Sequence, residues 1–332
     1  MKTKHMKKLL SFLFVFTFIT AISYAQQNKE YAEWIKKAKE FYDDKQYQQS
    51  ADAFTKAFAA NGGKGYVYDR IDAACSWAMA GNNDSAFFML MQVATKTNYT
   101  AIEQLKNRQD LISIHSDIRW DTLCAVINQN IAKADALLNK DLVAELAVIL
   151  SDDQDDRMKI TATQKKYGFE SKEIKELWKI IENKDSINLA KVTKILDRYG
   201  WLGAEIVSPE GNLTLFLVIQ HADIKTQERY LPMMREAVKK QKAEPSQLAM
   251  LEDRVALGEG KKQIYGTQVM NDENGIYHVS PLEDPENVDK RREEVGLGPL
   301  AAYVQTWDIK WDAAQYIKDL PAIEEWEKNG QK

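Results

Sequence analysis

Six positions recur at one fixed offset. Trp34, Ala38, Phe41, Ser50, Phe54 and Ala57 are followed 36 residues later by Arg70, Ala74, Trp77, Ala86, Leu90 and Val93. A period of this length marks a supersecondary unit that cannot bury its apolar face alone, so copies must stack. The residue types fit two packed helices per unit. Small side chains at Ala38, Ser50 and Ala57 permit close approach, and Trp34, Phe41 and Phe54 fill the space between turns. Asp43-Asp44-Lys45-Gln46 and Gly81-Asn82-Asn83-Asp84 supply a turn inside each unit, and Asn61-Gly62-Gly63-Lys64-Gly65 the turn between them.

This pattern over residues 28–135 resembles a tetratricopeptide array, whose period is about 34 residues. Lys37 and Arg70 depart from the family pattern, and the Gly-rich turn holds two extra residues. Leu105, Leu111, Ile114, Ile118 and Trp120 resemble the degenerate closing unit of such an array. The resemblance implies a groove for a protein or peptide partner. The competing expectation is a spacer that stabilises its neighbour. His115, in the closing unit, is read as a packing or capping residue.

The first 25 residues read as a targeting segment. Lys2, Lys4, Lys7 and Lys8 precede an apolar run from Leu9 to Ile22, and Ser23-Tyr24-Ala25 places small residues before Gln26. That order is a secretory signal peptide, and its apolar run is shorter than the ~20 residues a spanning helix needs. The expected location is periplasmic or extracellular, with no stable membrane insertion after cleavage. Net charge is −4 for the whole chain, and loss of the four lysines of the leader makes the remainder more acidic still. An acidic chain lacks the phosphate-neutralising surplus that nucleic-acid binding requires, so no nucleic-acid partner is expected. Two Cys exclude a disulfide scaffold and a four-thiolate zinc site, and with four His no metal and no cofactor is expected. Cys75 and Cys124 fall in apolar helical patterns; they are read as buried thiols, with a disulfide as the alternative.

Residues 136–332 form a second, mostly helical domain. Leu137–Leu150 is an amphipathic helix, Ser171 starts another that runs through Ile181, and Leu189–Tyr199 is a third stopped by Gly200. Ser208-Pro209-Glu210-Gly211 reads as a turn before Leu213–His221, the most apolar segment after the leader and the expected central helix. Asp223 caps a helix that Pro232 should kink, and Pro245 opens one ending at Gly258. Gln263–Gln268 and Ile276–Val279 are expected to pair as a small β-hairpin around Asn274-Gly275. One or two further helices follow, with Trp307, Trp311 and Trp326 as packing residues. The fold class is therefore mainly α: helix hairpins, then a helical domain with a small β-hairpin.

No nucleophile elbow, metalloprotease helix, phosphate loop or redox Cys pair is present. The candidates are constellations, each with a structural competitor. His221 closes the apolar helix, where an imidazole can act as a base or simply cap the last carbonyls. Asp253 and Arg254 can serve a site or tie down a loop. Gln263, Tyr265, Thr267 and Gln268 crowd hydrogen-bonding groups around Gly266, which suits either a polar ligand or a pinned loop. Asp153, Gln154 and Arg157 share a helix end, where a surface ion pair between positions four apart is the default.

Several of these segments occur together: Asp153-Gln154, Arg157, Gln220-His221-Ala222-Asp223, Leu251, Asp253-Arg254-Val255 and Gly260 to Gln268, then Asp284 to Arg292. In that order, over roughly residues 138–305, they resemble an uncharacterised bacterial family defined by a domain of unknown function. The resemblance implies a shared structural or functional cluster and no particular activity. Two functions remain open. One is an exported protein- or peptide-binding or scaffolding module. The other is an extracytoplasmic hydrolase-type enzyme in which His221 is the general base, Asp253 orients it, and Arg254 or Arg157 holds an anionic group.

Overall fold

The computed structural model describes residues 29–271 and 276–330; the expected leader, residues 1–25, and the tip of the expected hairpin lie outside the described residues. The fold is mainly α with one small antiparallel sheet. The chain divides into two compact units, at Ala136 and Leu137. Among the described residues no helix is long and apolar enough to cross a membrane.

The first unit opens with helix α1 (29–43), followed by α2 (Tyr47–Ala60), α3 (Val67–Met79) and α4 (Asn83–Lys96). Asn82 caps α4 by accepting the Ser85 N–H at 3.0 Å. Helix α2 packs on α3, and α3 on α4. The small residues are where the helices meet: Ala38, Ser50, Ala57, Ala74 and Ala86 are fully buried, alongside Phe54, Leu90 and Val93. Ser50 donates from Oγ to the Ala38 carbonyl at 2.8 Å and meets Ser76 Oγ at 2.9 Å, so two buried hydroxyls satisfy each other between helices. The rest is less regular: α5 (Ile102–Lys106), a 3₁₀ turn (Gln109–Ile114), and α6 (Ile118–Leu137). Buried Asn130 on α6 donates to the carbonyls of Ala94 and Tyr99, closing the exposed end of α4. His115 stacks on Trp120 with ring centroids 3.9 Å apart. Cys75 is buried, Cys124 half-buried, and both are free thiols.

In the second unit α7 (Lys140–Gln154) is capped by Asn139, whose side chain accepts the Leu142 N–H. After a 3₁₀ turn (Arg157–Lys159) come α8 (Ile160–Tyr167), α9 (Lys172–Tyr199), α10 (Ala204–His221), α11 (Ile224–Lys239) and α12 (Pro245–Gly258). The two helices expected before and after residue 185 are one: α9 runs 28 residues, because the polar stretch between its apolar runs contains no Gly or Pro to break it. The expected turn at Ser208–Gly211 is the middle of α10. Ser208 adopts φ +68° and its Oγ accepts the Gly211 N–H, so it caps a helix that restarts at Pro209. Gly211 admits a close approach: a Cβ there would lie 3.2 Å from Leu146 of α7. Pro232 sits within α11 without interrupting it. Helix α10 is apolar nearly all round and touches α7, α9, α11 and α12, as a central helix must. Its Leu215, Phe216 and Ile219 join Leu146, Ile149, Val192, Leu196 and Leu251 in the core.

The hairpin is displaced from its expected position. Strands β1 (Val269–Asn271) and β2 (Tyr277–Val279) pair Met270 with His278, while Gln263–Thr267 is an anchored loop. After a 3₁₀ turn at Pro285–Asn287, α13 (Val288–Glu294), α14 (Leu300–Val304) and α15 (Ala313–Gly330) follow. Val279, Leu282, Val288, Leu300, Val304, Tyr316 and Ile323 form a second core under the hairpin, with Trp311 packed against it.

Candidate functional site

Asp153 lies in the last turn of α7 and His221 is the last residue of α10; the close packing of these helices brings the two together. His221 Nδ1 is 3.1 Å from Asp153 Oδ1. Asp153 is buried, whereas the His221 side chain keeps 21% of its surface exposed. Gln154 Nε2 donates to Asp153 Oδ2 at 2.7 Å. Arg157 donates to the Asp153 carbonyl at 2.7 Å and lies 3.3 Å from its carboxylate, and its other Nη reaches Asp185 of α9 at 2.7 Å. Burial pushes the Asp153 carboxyl up, but the hydrogen bond and charge of His221, the Gln154 amide and the Arg157 charge outweigh it and hold the group below the usual carboxylate range. An ionised carboxylate only accepts, so His221 Nδ1 donates to Asp153 and Nε2 is the ring nitrogen left for other partners.

This arrangement departs from two expectations. Asp153 and Arg157 are not a solvated surface pair, because α9 covers them through Asp185. And the acid that orients His221 is Asp153 rather than Asp253. His221 lines a cleft of about 230 Å³ with Asp153, Glu182, Asp185, Ser186, Leu189 and Val218. A histidine held by a buried carboxylate at the mouth of a polar cleft is the geometry of a general base.

Asp253 lies elsewhere in the same unit and is fully buried. The loop that follows α12 folds back over it, so of the two expected roles it ties down a loop. Asp253 accepts the backbone N–H groups of Ile264 (2.7 Å), Tyr265 (3.0 Å) and Thr267 (2.9 Å) and the Thr267 hydroxyl (2.9 Å). Burial pushes its carboxyl up, and those four donors pull it back without restoring it. Gln263, also fully buried, donates to the Gln268 and Ser280 carbonyls and accepts the Gln268 N–H. Gln268 Nε2 in turn donates to Thr267 Oγ1. Gly266 turns the loop at φ +68°, where a Cβ would lie 3.1 Å from Leu300. Gln263, Tyr265, Thr267 and Gln268 are thus brought together as a pinned loop, and none of them lines the His221 cleft.

Asp185 was not anticipated as part of these clusters, and Arg292 entered only as the end of the last family-like segment. Arg292 is buried and donates to the Gly298 and Tyr265 carbonyls, with Tyr303 stacked over its guanidinium. Asp185 falls in the polar interval of α9, where two acids three residues apart, Glu182 and Asp185, were the available signal. Arg254 is half-buried, with a buried Nε that has no acceptor. Burial lowers its guanidinium, and the positive charge of Arg157 lowers it further. Among the described residues no group of three or more His, Cys, Asp or Glu could hold a metal ion.

A family of unknown function (DUF6624) matches residues 140–313, and the chain belongs to it. The match spans both clusters, from α7 through the pinned loop. No curated protein and no solved structure matches the chain.

Proposed function

We propose that the chain is an exported protein whose first unit is a short tetratricopeptide-like array that binds a peptide segment of a protein partner. The observation that carries this reading is a groove along α1. A depression of about 650 Å³ bounded by Tyr31, Ile35 and Tyr66 and another of about 260 Å³ bounded by Tyr42, Asp72 and Arg108 share Lys39 and Asp43. Aromatic walls with charges of both signs suit an extended peptide, whose backbone and side chains need both kinds of contact. The fixed 36-residue recurrence supports the array, and the leader sequence supports export to the periplasm or beyond.

Display of random peptides on phage, selected against the full chain, tests it. Selected peptides are expected to lose at least about tenfold in affinity on Tyr42→Ala combined with Lys39→Ala, a loss of roughly 1.4 kcal/mol. They should bind an Ile112→Ala control normally. Equal binding by the groove variant would overturn the reading. Export is tested by expression with the natural leader, after which the secreted chain should begin at Gln26.

The Asp153–His221 pair favours a second reading, that the other unit is a hydrolase-type enzyme with His221 as general base. Its test is a hydrolase substrate panel with His221→Gln. An activity that persists in this variant would remove His221 from the chemistry.

A further inference from the structure

The buried charges of the second unit can be matched one by one, and one of them is left over. Burial lowers the Arg292 guanidinium, and Asp253, across the loop both residues hold, is among the charges that oppose this. Arg157 is met by Asp153 and Asp185. Arg254 makes no hydrogen bond and no ion pair with any described residue, and its Nε is buried. An arginine does not discard its proton when buried, so this charge persists in the folded interior. Uncompensated buried charge is strongly unfavourable, and a like charge nearby makes it more so.

A second unpaired group reaches the same helix. Gln220 of α10 donates from Nε2 to the Met250 carbonyl at 3.5 Å, four residues before Arg254 on α12. Its Oε1 is buried and receives no donor. An unpaired guanidinium on α12 and an unpaired acceptor whose side chain reaches the same helix are together complementary to one small group that carries negative oxygens and an O–H.

We propose that Arg254 anchors a binding site for a small oxyanion, seated on its guanidinium fork with Gln220 Oε1 taking the ligand's hydroxyl. A planar fork pairs with carboxylate or phosphate oxygens in the same bidentate way, so either source of the oxyanion fits. The site goes beyond the readings above, because it requires neither a peptide in the groove nor proton transfer by His221.

The test is thermal unfolding of the full chain, followed by tryptophan fluorescence, in inorganic phosphate, glycolate or chloride at matched ionic strength and pH. The wild type is expected to gain a saturable rise of about 3 °C or more in one oxyanion over chloride. Phosphate as the effective salt assigns a phosphate-type ligand, and glycolate a hydroxycarboxylate-type one. Arg254→Met should lose the rise and, in chloride, melt at or above the wild type, because it removes an unmatched charge. Arg229→Gln, at an exposed ion pair with Asp197, should respond like the wild type. No saturable rise in the wild type would overturn the site. So would an equal rise in Arg254→Met, or a variant that melts lower than the wild type by the same amount in every salt or fails to fold in chloride; each of these makes Arg254 a structural residue.

Discussion

Asp253 and Arg292 hold the two polar ends of one residue: the Tyr265 N–H donates to Asp253 at 3.0 Å, and the Tyr265 carbonyl accepts from Arg292 Nη1 at 2.8 Å. Neither charged group has the other as a hydrogen-bond partner. Each stabilises the loop, and the loop is what separates and positions them. This explains how an acid and a base so deeply buried coexist with an irregular backbone segment, whose amides and carbonyls would otherwise be left without partners.

Asp253→Asn should therefore destabilise the second unit by about 3 kcal/mol, since it removes a charged acceptor of four hydrogen bonds and leaves Arg292 uncompensated. Arg292→Met should cost a similar amount. Because the two act on one loop, the double variant should lose less than the sum, with a coupling of about 1 kcal/mol or more. Urea unfolding of the four proteins measures the cycle, and strict additivity would show that the residues act independently.

Ser208 combines two opposing effects. Its φ of +68° is unfavourable for a residue with a side chain, while its Oγ caps the restarted half of α10. Ser208→Ala keeps the strain and loses the cap, and should cost about 1 kcal/mol. Ser208→Gly relieves the strain as it loses the cap, and should be within about 0.5 kcal/mol of the wild type. If thermal melts rank Gly below Ala, the strain interpretation is wrong; if Ser208→Ala melts with the wild type, the capping interpretation is wrong.

The helices were legible because their cause is local. Apolar spacing placed the α10 core, and side-chain caps such as Asp223, which accepts the Thr226 N–H at the start of α11, are visible in a few residues. What could not be read was set by contacts between segments far apart. Asp153 and His221 are separated by 68 positions, and nothing near His221 distinguishes Asp153 from Asp253 as its partner. Burial of Asp253 depends on a loop that folds back from eleven or more residues downstream. The hairpin shifted for the same reason: the alternation in Gln263–Gln268 resembles a strand, but Asp253 satisfies its amides before a neighbouring strand can. The segments that carry the family resemblance follow one another in sequence, yet in space their residues form two clusters.

Cys75 tests the packing of the first unit. Burial pushes its thiol up to about 12, so almost none of it is thiolate at neutral pH, and thiolate is the reactive form. An aromatic disulfide reagent should modify Cys75 only after unfolding, while half-buried Cys124 reacts sooner. Intact mass without reductant should show two free thiols. Rapid labelling of Cys75 in the native protein would mean that α3 is not packed as described.

Asp153 sets an acid limit on the second unit. Its carboxyl titrates below the usual range in the folded chain, whereas the unfolded value is about 3.9. A depressed folded value means the carboxylate contributes stability that is fully present above the unfolded value and is lost as pH falls through the folded one. Urea midpoints should therefore drop steeply below about pH 4. Asp153→Asn should flatten this limb while lowering stability at pH 7 by about 2–3 kcal/mol, since His221 loses a charged acceptor and Arg157 loses one of its two counter-charges. Asp156, likewise held low by Lys159 and Lys184, adds to the same limb, so some slope should persist in the variant and diminish further in Asp153→Asn with Asp156→Asn. An acid limb that Asp153→Asn leaves as steep as in the wild type would mean that the α7–α10 contact through His221 does not depend on a charged Asp153.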